Sequence, residues 1–185
     1  LTGIMTAQMD SVPMIILCGQ QVTWMLGKDA FQEADIFGIT IPVVKHNYLV
    51  KNSNDLPRIV REAHHIATTG RPGPVLIDIP KDISSGAFTG DMDEEMDLPG
   101  YHPELAMNID VVAVDQAVQL LRASRKPLIL AGHGAMIARA DKELRQLAET
   151  LHAPVTNTLL GKGVFPETHP LALGMLGMHG TAYAN

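Results

Sequence analysis

Three short apolar runs constrain this chain most: VPMIILC at Val12–Cys18, VLIDI at Val75–Ile79 and PLILA at Pro127–Ala131. Each is stopped at once, by Gly19, Pro80 and Gly132. Continuous apolar runs this short suit strands buried on both faces better than helices, which need ten or more residues. Between them lie stretches with helical spacing. Leu56 to Thr69 carries Ile59, Val60, Ala63, Ile66 and Ala67 on one side, with Asn54–Asp55 to cap it and Pro57 in its first turn. Strand, helix and strand in this order predict an α/β protein with parallel sheets and flanking helices.

The rest of the pattern extends that reading. Residues 1–10 look like the tail of a helix, 29–37 like a short helix or turn, and 39–50 like a strand with its approach. After Ile83 the character changes to Ser, Gly, Pro and the acidic run DMDEEMD, read as a solvated linker. A second unit follows. It has an amphipathic helix over Ile109–Ala123 (Val111, Val114, Ala117, Val118, Leu121), then the strand Pro127–Ala131 and a tight turn at Gly132-His133-Gly134. Next come a helix over Ala138–Leu151 with Leu144, Leu147, Ala148 and Leu151 inward, a strand over Pro154–Thr158, and a loop to Gly174. The expected division is 1–83 for the first domain, 84–107 for the linker and 108–185 for the second domain.

Composition narrows the function classes. There are 14 Lys and Arg against 20 Asp and Glu, and the acidic run accounts for most of the imbalance. No basic patch points to nucleic acid. Cys18 is the single cysteine, which excludes an internal disulfide framework and a Cys-rich metal site. No apolar run approaches the ~20 residues that span a bilayer, and no signal peptide is visible. The chain opens at Leu1 without Met, in what reads as mid-helix, so a piece of a longer protein is expected.

Gly27-Lys28 is followed by Asp29, and Gly161-Lys162 by Gly163, so neither is a nucleotide P-loop. Gly132-His133-Gly134 sits between strand and helix, but Ile137 replaces the third glycine of a dinucleotide fingerprint. His64-His65 are adjacent on a helix and lack ligand spacing, so no metal residue is assigned. Three clusters are denser than folding requires. Gly27-Lys28-Asp29-Ala30-Phe31-Gln32-Glu33 follows a strand, where α/β proteins hold ligands, and sets an amide beside an apolar wall. It also suits a helix start capped by Asp29. Gly70-Arg71-Pro72-Gly73-Pro74 stiffens an arginine for an anion, with Lys81 just past the next strand. It also suits a surface turn. Gly174-Met175-Leu176-Gly177-Met178-His179-Gly180-Thr181 lets backbone approach a large planar ligand, or simply turns the chain.

Together these segments, with Lys45-His46-Asn47-Tyr48-Leu49-Val50 and Asp78-Ile79-Pro80-Lys81-Asp82, resemble the catalytic subunit family of acetohydroxyacid (acetolactate) synthases. The Arg-Pro-Gly-Pro and Pro-Lys-Asp pieces are shared among thiamine-diphosphate enzymes. Asp-Ala-Phe-Gln-Glu and Gly-Met-His-Gly are more specific. The resemblance implies the second half of a pyrimidine-binding domain and the first part of a Rossmann-like, FAD-binding central domain. It implies condensation of pyruvate with pyruvate or 2-oxobutyrate, with loss of CO2, as a first step of branched-chain amino-acid biosynthesis. Thiamine diphosphate, Mg2+ and a mainly structural FAD would be the cofactors. Phe31, Gln32 and Lys81 would serve the catalytic pocket. Arg71, Gly132, His133, Gly134, Thr158, Leu159, Leu176, Gly177, Met178 and His179 would bind FAD. The thiamine-activating Glu and the Mg2+ ligands would lie outside this chain, leaving the chain alone inactive.

The resemblance further implies a homodimer or higher oligomer, a possible small regulatory subunit, no nucleic acid, no membrane, and a bacterial cytoplasmic or plastid location. The sequence departs from the family at Lys28, often Thr, and at Val22-Thr23-Trp24, Pro-Arg-Arg in plants, beside the channel where inhibitors bind. Rival readings are another thiamine-diphosphate carboligase, decarboxylase or oxidase, a non-catalytic flavin- or nucleotide-binding module, and a fragment that binds no ligand.

Overall fold

The computed structural model describes residues 1–100 and 109–185. The end of the expected linker and the first residue of the expected second domain lie outside the described residues. The chain divides into two compact units, Leu1–Ala106 and Met107–Asn185.

The first unit runs α1 (Thr2–Met9), β1 (Met14–Gln20), α2 (Ile36–Thr40), β2 (His46–Leu49), α3 (Leu56–Thr68), β3 (Pro74–Pro80) and α4 (Lys81–Ser84). Its three strands are parallel in the order β1-β3-β2. The central strand carries the most apolar run, and Val75, Leu76 and Ile77 are fully buried. Pleating sends Val75 and Ile77 to the face covered by α3, where they meet Val50, Ile59, Ala63, Ile66 and Ala67. The C-terminal end of α3 is closed by Lys45, whose ammonium donates to the carbonyls of Ile66 and Thr69, the latter at 2.7 Å.

Two local expectations are corrected here, the doubly buried first strand and the inward Val60, and two are made more definite. The first strand is Met14–Gln20 and alternates between half-buried and exposed, because it lies at the sheet edge and is not buried on both faces. Residues 29–37 are turns until α2 starts at Ile36, where the Asp35 carboxylate accepts the Gly38 N–H at 2.8 Å. On α3, Val60 is exposed and Glu62 is buried in the helix face instead. Glu62 tolerates burial because it accepts from the Arg58 guanidinium (2.9 Å), the Asp97 N–H (2.9 Å) and the Tyr48 hydroxyl (3.0 Å). The acidic run has exposed side chains, but its backbone is docked on α3: Arg61 donates to the carbonyls of Met92 and Glu94.

The second unit runs α5 (Val111–Ala123), β4 (Ile129–Ala131), α6 (His133–Ile137), α7 (Asp141–Leu151), β5 (Val155–Asn157) and β6 (Ala172–Met175). Its strands are parallel in the order β4-β5-β6. Its core joins Ala131, Ala148, Val155, Val164 and Phe165. Gly132 is the N-cap of the short α6, so Gly132-His133-Gly134 opens a helix and does not form a tight turn. The second helix begins at Asp141, and Leu147 is exposed while Ala148 is buried. The apolar side of α5 meets little of its own unit, with only Leu121 half-buried. Strand β6 lies in what the sequence presents as loop. Gly174 at φ 79° and a register shift beside Thr156 interrupt it.

Candidate functional site

In both units the candidate residues other than Arg71 gather at the C-terminal edge of a parallel sheet, the edge where such folds hold ligands. In the first unit a cleft of about 620 Å3 is lined by Gly19, Gln20, Gln21, Phe31, Gln32, Ile79, Lys81 and Ser84. Phe31, Gln32 and Lys81, singled out from separate motifs, thus share one cleft. Phe31 is 81% exposed, which makes it a wall of the opening and no part of the core.

The loop that carries Phe31 and Gln32 is tightly determined. Asp29 and Gln32 adopt left-handed backbone (φ 51° and 60°), a conformation costing about 1 kcal/mol or more for residues with a side chain. The Glu33 carboxylate compensates by accepting the backbone N–H groups of Ala30 (2.9 Å), Gly27 and Lys28 (3.3 Å). The Ala30 and Gly27 bonds hold the Glu33 carboxyl below its usual range. At the base of the loop, Gln20 donates through Nε2 to Ala34 O (2.7 Å) and to Asp78 Oδ2 (3.1 Å). Gln21 donates to Phe31 O.

Across the cleft, Asp82 accepts the Thr23 hydroxyl at 2.6 Å and the Thr23 N–H at 2.9 Å, and the hydroxyl bond leads in lowering its pKa. This clasp ties the start of the loop to α4, whose first residue is Lys81. Burial raises the Asp78 carboxyl above its ordinary value, against the Gln20 bond and with Asp35 adding negative charge. Cys18, beside Asp78 in register, is likewise raised by burial first and by Asp78 second.

In the second unit, Ala131, Asn157 and Met175 end three paired strands side by side. The ladder runs on, with Thr158 N–H donating to Ala131 O (3.0 Å) and Leu176 N–H to Asn157 O (3.1 Å). Gly132, Thr158 and Leu176 are thereby neighbours along one edge, followed by His133 and Gly134 in the first turn of α6, Leu159 in a 3-10 turn, and Gly177, Met178 and His179 in a loop. Leu159 and Met178 are strongly exposed, Met178 at 92%. Gly174 and Gly177 are set by positive φ (79° and 103°), and the other glycines here divide into two kinds. A Cβ at Gly161 would lie 2.5 Å from Ala131 O, and one at Gly180 2.3 Å from Met175 O, so protein packing demands both. A Cβ at Gly132 or Gly134 would meet nothing within 4 Å, and Gly132 has an ordinary φ of −109°.

Arg71 precedes β3, away from the C-terminal edge of its own sheet. It belongs to the first unit, where it donates to the Ser11 hydroxyl (2.8 Å) and to the carbonyls of Met9 (3.0 Å) and Gln8 (3.3 Å) at the end of α1. Among the described residues no group of three or more His, Cys, Asp or Glu is arranged to hold a metal ion, and no helix is long and apolar enough to cross a membrane. Sequence reasoning missed Gln20, Gln21 and Glu33 as loop supports. The polar pair directly after an apolar strand was a usable signal for the first two. The Thr23–Asp82 clasp joins residues 59 apart and left no local trace.

Residues 114–185 match the family model described as thiamine pyrophosphate enzyme, central domain. The whole chain is 52% identical to an acetolactate synthase of Arthrospira platensis, covering 32% of that protein. It is 48% identical to an acetolactate synthase large subunit of Corynebacterium glutamicum, covering 29% of it. A solved structure described as a thiamin diphosphate-dependent enzyme from Mycobacterium smegmatis aligns with TM-score 0.75 and 25% identity, over 96% of this chain and 33% of its own. The chain spans about a third of the length of the curated relatives it matches. Residues 114–185 thus belong to the thiamine pyrophosphate enzyme central-domain family, and over its whole length the chain is a relative of the acetolactate synthases.

Proposed function

We propose that an enzyme carrying this chain condenses two 2-oxoacids, pyruvate with pyruvate or 2-oxobutyrate, to an acetohydroxyacid with loss of CO2. The observation that carries this reading is the meeting of Phe31, Gln32 and Lys81 around one cleft, in a chain about half identical throughout to acetolactate synthases. Thiamine diphosphate, when bound, supplies the electron sink for breaking and making the carbon–carbon bonds. The chain's own residues orient and shelter the substrate. The Gln32 amide N–H donates to a substrate carbonyl and fixes its angle of approach. Phe31 closes the opening against water. The Lys81 ammonium attracts the substrate carboxylate.

The second unit is proposed to hold FAD against Gly132, His133, Gly134, Thr158, Leu159, Leu176, Gly177, Met178 and His179. The residues fit a flavin on one observation: glycine at 132 and 134 is required neither by backbone conformation nor by packing, and leaves open space over the backbone. Arg71 enters this reading through its motif alone, since its geometry favours closing the end of α1. Mg2+ and the thiamine-activating carboxylate are assigned to parts of the enzyme beyond this chain. The exposure of Phe31 supports a second subunit covering the cleft, and the naming of relatives as large subunits supports a smaller partner.

The test is a product assay on the enzyme carrying this chain, with pyruvate, thiamine diphosphate, Mg2+ and FAD. Acetolactate formed in step with CO2 supports the proposal. Acetaldehyde or acetate as the sole product would move the enzyme to the decarboxylases or oxidases of the same family. No consumption of pyruvate would overturn it.

A further inference from the structure

Asp78 is the least expected residue of the first sheet. It stands on the central strand at 1% exposure, next to Leu76 and Ile77. One carboxyl oxygen, Oδ1, has no hydrogen-bond partner, and the other accepts only the Gln20 amide among the side-chain bonds of the described residues. A buried carboxyl satisfied on one side is costly, and an aliphatic residue would fill the same space more cheaply. Its one visible service is to Gln20.

Gln20 in turn spends both amide hydrogens. One goes to Asp78 and the other to the carbonyl of Ala34, two residues beyond Gln32. Its oxygen accepts the Gln21 N–H at 2.8 Å, and the Gln21 amide donates to Phe31 O. Two consecutive glutamines therefore pin the loop on either side of Gln32, at Phe31 and at Ala34. Gln20 lines the cleft and is only half-buried, and of its three side-chain partners Asp78 alone is fully buried and lies on the central strand, the other two belonging to the segment after β1.

We propose that Gln20, seated on the buried Asp78, is a positioning residue that fixes the loop bearing Phe31 and Gln32 over the cleft. Asp78 serves as a hydrogen-bond acceptor and not as a charge. The raised pKa that burial gives its carboxyl agrees with that role. The proposal rests on the reading of this cleft as the site of 2-oxoacid condensation.

The test uses Gln20→Leu, Asp78→Leu and Asp78→Asn in the enzyme carrying this chain, with hydrogen exchange over residues 26–34 and steady-state kinetics with pyruvate. Gln20→Leu and Asp78→Leu are expected to speed loop exchange and lower kcat, each by about tenfold or more, with a smaller change in KM. Asp78→Asn keeps an acceptor for Gln20 and is expected to retain both properties. Should Asp78→Leu fail to fold, Gln20→Leu decides the matter, its site being half-exposed. Wild-type loop exchange and kcat in folded Gln20→Leu would overturn the proposal, as would Asp78→Asn as damaging as Asp78→Leu. If the wild type leaves pyruvate untouched, the functional reading falls, and loop exchange alone still decides the latch.

Discussion

At the C-terminal edge of the first sheet, side chains hold the loop; at the corresponding edge of the second sheet, backbone lies open. Gln20, Gln21, Glu33 and the Thr23–Asp82 clasp immobilise Phe31 and Gln32, two of them in left-handed or strongly exposed states that the chain would otherwise leave. Gly132 and Gly134 have nothing above them and need no special conformation. The difference matches the two tasks proposed for these edges. Orienting a small reacting molecule needs few groups set to fractions of an ångström. Laying a long cofactor along an edge needs room for close approach to the backbone. The first edge is therefore sensitive to which side chain is present, and the second to whether any side chain is present.

That contrast is sharpened most by Gln32→Ala in the enzyme carrying this chain. Loss of the amide should lower kcat by about a hundredfold, the scale of a misplaced substrate, with the melting temperature nearly unchanged. A large fall in melting temperature with the rate per folded molecule intact would make Gln32 structural and erase the difference between the edges. The next effect lies within the second edge. Gly161→Ala forces a methyl group onto Ala131 O and should cost about 1–3 kcal/mol of stability, measured by denaturant unfolding. Gly132→Ala should cost close to nothing in the same measurement. Equal losses would show that both glycines serve packing.

A smaller effect concerns Asp78 and pH. Burial raises its carboxyl in the folded chain above the unfolded value. The folded state then keeps a proton that the unfolded state has released, so this contribution to stability falls as pH rises from the ordinary carboxylate range through Asp78's own value. Asp78→Asn removes that slope. It should melt above wild type at neutral pH, with the gap closing on acidification. Cys18 and Asp35, which act electrostatically with Asp78, are retained in that comparison, and Cys18 loses the part of its upward shift that comes from Asp78. A gap that is absent at neutral pH, or widens in acid, would contradict this account.

The sequence carried the sheets where the chain is locally unambiguous. Val75–Ile79 is apolar enough to be a central strand in any context, and it is one. Strand β6 was illegible because ALGM is short and interrupted by Gly174, so its pairing with β5 is set by tertiary context. Val60 and Glu62 exchanged places on α3 because the partners of Glu62, Tyr48 and Asp97, come from distant segments that helical spacing does not see. The same limit applies at the site. Phe31, Gln32 and Lys81 stand in recognisable local motifs. Gln20 acquires its role only when β1 is paired with β3 and Asp78 comes beside it. Periodicity announced an apolar side on α5 without saying what covers it, and within its own unit little does.

The central claim, that the second edge works through bare backbone, is tested most directly by flavin titration of wild type and Gly132→Val in the enzyme carrying this chain. Gly132 has backbone angles that valine adopts readily, and the added group meets no protein atom within 4 Å of its Cβ. The account predicts that wild type binds FAD and that Gly132→Val melts with wild type yet binds FAD about tenfold or more weakly. Unchanged affinity in folded Gly132→Val, or no binding by wild type, would contradict it.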